Sequence, residues 1–166
     1  MSSRALTELL RGNGAHADPL ACVEDISCDL AARQVAGFPH SIAQLLFHMN
    51  YWMDYDLRRI RGEKPPYPAH NSESFPATAA LANAEWKRWQ ARFAALLNDT
   101  AALAGSDRAE LDRQVETTHP SHLQRDHTLE AVLWQLVAHN SYHIGQIAMI
   151  RRFLGAWPPR GGGDTW

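Results

Sequence analysis

Apolar residues recur along this chain at three- and four-residue intervals, and no stretch alternates apolar with polar in the manner of a strand. The pattern predicts an all-α protein. Residues Ser2–Arg11 carry Ala5, Leu6, Leu9 and Leu10 at helical spacing, and GNG at 12–14 ends that segment. Asp18-Pro19 is a second start signal, an N-cap acceptor followed by a proline whose missing N–H does no harm in a first turn. A short stripe of Leu20, Val23 and Ile26 follows, with a further turn at Leu30 and Ala31. Ser41-Ile-Ala-Gln44 reads as a capping box that opens a long helix. Ile42, Leu45, Leu46, Met49, Trp52, Met53, Leu57 and Ile60 form its buried stripe, and Gly62 with Pro65-Pro66 stops it. A third helix is predicted from Thr78 to Leu103, marked by Trp86, Trp89, Phe93, Leu96 and Leu97. A short turn of helix is expected near Arg108–Arg113, and a fourth main helix from Thr128 to Leu154.

Short loops join antiparallel neighbours, whereas the proline-rich connection at 62–77 is long enough for a crossover. Four main helices with one or two crossovers imply a helical bundle. A chain of 166 residues is about one domain. That domain is assigned to residues 1–157, and PPRGGGDTW at 158–166 is a flexible tail that cannot continue a helix.

Composition narrows the function. Sixteen basic against eighteen acidic side chains give a formal net charge of −2, so no global basic field is available to hold nucleic acid or an anionic membrane. No apolar run approaches the ~20 residues of a bilayer span. The first residues lack the apolar block and cleavage site of a signal peptide, so a cytoplasmic location is expected. Cys22 and Cys28, spaced C-x5-C, fit neither a redox pair nor a zinc ribbon and are expected as free thiols.

The nine histidines carry the chemistry. His139-Asn-Ser-Tyr-His143 places two imidazoles at i and i+4, on one helix face and about 6 Å apart at Cβ. They sit beside the apolar stripe and so should point inward. His48 lies near the apolar edge of the other long helix. Three neutral ligands leave coordination positions open, as in a catalytic metal site. Three buried imidazoles without a metal need more hydrogen-bond partners than an apolar bundle easily supplies. Gly145 in a helix suggests close approach of another helix. Asn140 stands where a zincin protease needs glutamate. A single Glu116-Thr-Thr-His119 motif does not make a di-iron bundle. His16, His40, His70, His119, His122 and His127 read as helix-end or loop residues, and RRIRGEK at 58–64 as a solvated helix end. Asn50, Tyr51, Tyr55 and Tyr142 are candidate pocket residues. Asp54 and Asp56 are candidate carboxylates to orient a ligand imidazole. None is assigned as the general base. Protons should compete with the metal as pH falls through about 6 toward 5.

Leu45-Leu-Phe-His48-Met-Asn-Tyr-Trp52 and His139-Asn-Ser-Tyr-His143-Ile-Gly-Gln146 together resemble the DinB/YfiT-like superfamily, over most of residues 40–157. The resemblance implies a four-helix bundle in up-down-down-up order with a long crossover between helices 2 and 3. It implies a divalent ion, zinc or nickel foremost, held by His48, His139 and His143. It also implies a homodimer and a small-molecule substrate. The implied activity is a thiol-dependent S-transfer using a low-molecular-weight thiol, or a metal-dependent hydrolysis. The alternative is a non-catalytic metal-binding or stress-associated bundle. GNGAHADP at 12–19 departs from the family's continuous first helix.

Overall fold

The computed structural model describes residues 3–116 and 127–161. His119 and His122, and tail residues 162–166, lie outside that set. Among the described residues the protein has seven α-helices and no strand: α1 (Ser3–Leu10), α2 (Ala21–Glu24), α3 (Cys28–Ala32), α4 (Ile42–Ile60), α5 (Asn83–Ala104), α6 (Arg108–Leu111) and α7 (Leu129–Phe153). A 3-10 turn at Asn71–Ser74 lies in the connection from α4 to α5.

Local chemistry sets most of the boundaries. The Asp18 carboxylate accepts from the backbone N–H of Leu20 at 2.7 Å and so caps the turn before α2. At α4, Ser41 Oγ accepts from Gln44 N at 3.3 Å, and Gln44 Oε1 accepts from Ser41 N at 3.0 Å, closing the capping box. Gly62, with φ +83°, supplies the left-handed residue that ends this helix. Thr128 caps α7 by accepting from Ala131 N at 3.2 Å.

One boundary differs from the sequence expectation. The third long helix begins at Asn83, not Thr78. Thr78 is buried, its hydroxyl lies 3.4 Å from Ser41 Oγ, and Leu81 N closes a turn onto Thr78 O at 3.1 Å. Ala82 is then extended, with ψ 146°. Tertiary hydrogen bonding to the head of α4 thus takes residues that local propensity would have given to the helix.

Helix α4 packs on α5 and on α7, and α1 packs on the same two. Their facing stripes, including Leu6, Leu10, Met49, Met53, Phe93, Leu97, Leu133 and Ile147, belong to one buried apolar cluster. Trp86 is fully buried and donates its indole N–H to Ile26 O at 3.0 Å, joining α5 to the segment before α3. Arg151 is 2% exposed and donates to Asp25, Cys22 O and Ala156 O at 2.7–2.8 Å. This one guanidinium ties α7 to α2 and to the chain beyond Gly155. Further along, Arg160 N donates to Asp25 at 2.7 Å.

The α4–α5 connection matters most for the site. It leaves α4 at Ile60, yet Ser74 lies against His48 and Thr78 against Ser41, so it runs back along α4 toward its start. Asn50 then donates to Trp89 O at 2.9 Å, Asp54 pairs with Arg92, and Arg61 pairs with Asp99 at 2.9 Å. These pairs rise together in both helices.

Candidate metal centre

His48 sits in the first half of α4, and His139 and His143 sit one turn apart on α7. The packing of α4 on α7 brings the three rings together. His48 Nε2 lies 3.1 Å from His139 Nε2, and His143 Nε2 lies 3.2 Å from the same atom. One nitrogen from each ring falls within 4.8 Å of the other two. His48 and His143 are 8% and 7% exposed, while His139 is half-buried and forms the open side.

The outer nitrogens decide the tautomers. Ser74 Oγ donates its proton to Asn71 O at 2.7 Å, so toward His48 Nδ1, 2.8 Å away, it accepts. His48 therefore carries its proton on Nδ1 and turns the Nε2 lone pair inward. The Gln146 carbonyl oxygen accepts from His143 Nδ1 at 2.7 Å with the same result. His139 Nδ1 is buried and makes no hydrogen bond. A proton on His139 Nε2 would serve two lone pairs as one shared, weakened donor, whereas Nδ1 lacks a partner in either tautomer. A cation at the centre satisfies all three inward nitrogens at once.

The two spacings from His139 Nε2, and the charge, agree with this donor set. Zinc–imidazole bonds of about 2.0–2.1 Å at tetrahedral angles put the nitrogens about 3.3 Å apart. Octahedral angles at similar bond lengths give about 3.0 Å. Burial, reinforced by His143, His139 and His40, pushes His48 down to about 3. Burial and then His143 take His139 down to about 4, and the neighbouring Asn140 amide opposes this without closing a hydrogen bond. Burial also lowers His143. All three are neutral at pH 7, the form that binds metal.

Two aromatic layers brace the centre. The Phe75 ring stacks on His48 at 4.1 Å and 11°, and on its other face His40 stacks at 3.8 Å and 4°. Trp52 stands edge-on to His48 at 6.3 Å and touches Tyr51, Tyr55 and Tyr67. Tyr142 is exposed beside the His143 ring at 5.0 Å.

Several sequence expectations change here. Asp54 and Asp56 are not hydrogen-bonded to any of the three candidate ligand imidazoles: Asp54 pairs with Arg92, and Asp56 is buried against Arg59 at 2.7 Å. Ser74 and Gln146 do that work. Gln146 was within reach of sequence reasoning, three residues beyond His143. Ser74 was not, since it comes from an irregular connection. Asn50 braces α5 through Trp89 O and does not face the three rings with a hydrogen bond. Tyr51 and Tyr55 line a separate groove of about 150 Å³ with Arg58 and Pro66. Gly145 is not a point of close helix approach, because a Cβ there would meet nothing within 4 Å. His40 and Phe75 were not among the candidates. Both cysteines are free and buried, and burial pushes the Cys22 thiol up to about 12.

A family model described as the DinB superfamily matches residues 14–147, a span that contains all three histidines. No curated protein matches the chain.

Proposed function

The chain belongs to the DinB superfamily, and on that premise we propose that it is a metalloenzyme holding a zinc or nickel ion on His48, His139 and His143. The observation that carries this reading is the inward turn of Nε2 lone pairs, fixed from outside by Ser74 and Gln146. When bound, a divalent ion with open positions supplies Lewis acidity and lowers the pKa of a coordinated water or thiol.

The chain's own residues do the rest. Ser74 and Gln146 hold the protons of His48 and His143 on the outer nitrogens, so both Nε2 lone pairs face inward, and burial keeps the rings neutral. Phe75 fixes the plane of His48. The half-buried His139 leaves the open side on which a small-molecule substrate is received. The reaction is thiol-dependent S-transfer or hydrolysis. For the first, the buried Cys22 and Cys28 favour a low-molecular-weight thiol supplied from outside.

The fold proposed for this chemistry is a four-helix bundle of α1, α4, α5 and α7 in up-down-down-up order. The rising pairs between α4 and α5 support a parallel crossover. Residues 1–157 form its single domain, with 158–166 as a tail. The exposed Tyr142 and Phe153 support a homodimer, and a cytoplasmic setting suits reduced cysteines. Among the described residues no helix is long and apolar enough to cross a membrane.

The test is metal content of tag-free protein, followed by assay of the loaded protein on thiols with electrophiles and on esters. About one ion per chain, lost in His143→Ala, with turnover of either panel supports the proposal. One ion without turnover favours the non-catalytic metal-binding bundle. No ion removes both.

A further inference from the structure

Asn140 follows His139 directly on α7 and is buried, 3% exposed. Its amide nitrogen donates to Met53 Sδ on α4 at 3.3 Å. A thioether sulfur accepts and cannot donate, so this contact fixes which end of the amide faces α4. The oxygen is the end left over, and Asn140 Oδ1 is buried with no hydrogen-bond donor. Buried polar atoms without a partner are few in folded proteins, and each calls for an explanation.

The adjacent side chain has the complementary defect. His139 Nδ1 is buried and unpaired as well. Across the ring, His139 Nε2 lies 3.1 and 3.2 Å from the Nε2 atoms of His48 and His143. Those two rings keep their protons on Nδ1, against Ser74 and Gln146. For His139 to turn a lone pair to the same point, its proton must sit on Nδ1. It is then a buried donor, one residue from a buried acceptor. Asn140 is also the polar group that opposes the effect of burial on His139, which sets amide and ring close together. Sulfur is a weak acceptor, so a turn of the amide toward the ring gives up little.

We propose that Asn140 is the positioning residue of His139: its Oδ1 accepts the Nδ1 proton of that ring and so gives each of the three imidazoles, with Ser74 and Gln146, one outer acceptor. This role rests on the reading of the three histidines as a metal centre. All three acceptors are neutral oxygens. They orient the rings without the added basicity that carboxylate partners give, which keeps a bound divalent ion more electrophilic.

The test combines zinc affinity, by competition with a chelating dye, and NMR of the imidazole protons in zinc-loaded protein with isotope-labelled histidine. Asn140→Leu keeps a side chain branched at Cγ, favours the helix and removes the acceptor. Its zinc affinity should fall about 10- to 100-fold. Asn140→Asp restores an oxygen at the same place and should bind zinc at least as tightly as the parent. Met53→Leu removes only the sulfur contact and should stay within about twofold, which separates positioning of the ring from packing of α4 on α7. In the parent, the His139 Nδ1 proton should give a slowly exchanging, hydrogen-bonded signal. In Asn140→Leu that signal moves upfield, while those of His48 and His143 stay in place. Three results overturn the proposal: zinc affinity of Asn140→Leu within about twofold of the parent, Asn140→Asp no tighter than Asn140→Leu, or a His139 signal unmoved by Asn140→Leu. In each of these the parent still holds zinc, so the metal centre survives and only the role of Asn140 falls. A parent that takes up no zinc removes both. Where Asn140→Leu does not fold, the parent alone decides: a His139 Nδ1 proton in rapid exchange with water, unlike those of His48 and His143, overturns the role.

Discussion

Replacing Ser74 with alanine removes one acceptor and leaves the three imidazoles in place. His48 Nδ1–H loses its partner at 2.8 Å, in a ring only 8% exposed. A buried donor left unpaired costs about 1–3 kcal/mol. The ring escapes that cost by shifting its proton to Nε2, which removes the inward lone pair. Either way the metal-binding form of His48 becomes less populated. Phe75 still stacks on the ring at 4.1 Å, so its plane is kept and the site is not scattered. Partners of this kind carry about 10- to 100-fold in metal affinity. With the stack retained, the lower half of that range applies, about 10- to 30-fold or roughly 1.4–2 kcal/mol. Competition of apoprotein with a chelating dye for zinc measures it. Ser72→Ala, at an exposed position in the same turn, is the control and should stay within about twofold. An affinity for Ser74→Ala within twofold of the parent, in a protein that melts normally, refutes the tautomer argument.

Other outcomes follow from the same structure. The three imidazoles have folded-state pKa values lowered by burial, so between those values and about 6.5 the unfolded chain binds more protons. Apoprotein stability therefore falls as pH drops through about 6.5 toward 4, and a melting temperature flat across that window contradicts the burial of these rings. Imidazoles already neutral in the fold also retain metal below about pH 6, lower than free histidine would suggest, and a dialysis series reads the midpoint. Arg151→Ala removes the donor to Asp25 Oδ1, Cys22 O and Ala156 O, and should cost about 3–5 kcal/mol in a denaturant melt. Ser41→Ala removes the cap of α4 and a contact to Thr78, and should cost about 1–2 kcal/mol by the same melt.

The helices were legible where a local device ends them. The Ser41–Gln44 box, the Gly62 turn and the Thr128 cap act within four residues, and each stands where the pattern put it. The start of α5 was not legible, because Thr78 is drawn off by Ser41 from 37 positions away. The three histidines were legible because i,i+4 spacing and an apolar edge are properties of single helices. Their supports divide along the same line. Gln146 lies one turn from His143 and shares its helix, whereas Ser74 and Phe75 reach His48 only because the connection doubles back along α4. The carboxylates Asp54 and Asp56 were plausible by proximity in sequence, but each has a guanidinium closer to hand. Gly145 misled for a related reason: its missing side chain opens a cleft instead of admitting a helix.

Anomalous diffraction at the zinc and nickel edges, from crystals of tag-free protein grown with each metal, addresses the three-histidine centre most directly. A single peak about 2.0–2.2 Å from Nε2 of His48, His139 and His143, absent in His143→Ala, is the expected result. A peak elsewhere, or one bound through the Nδ1 atoms that Ser74 and Gln146 occupy, contradicts it.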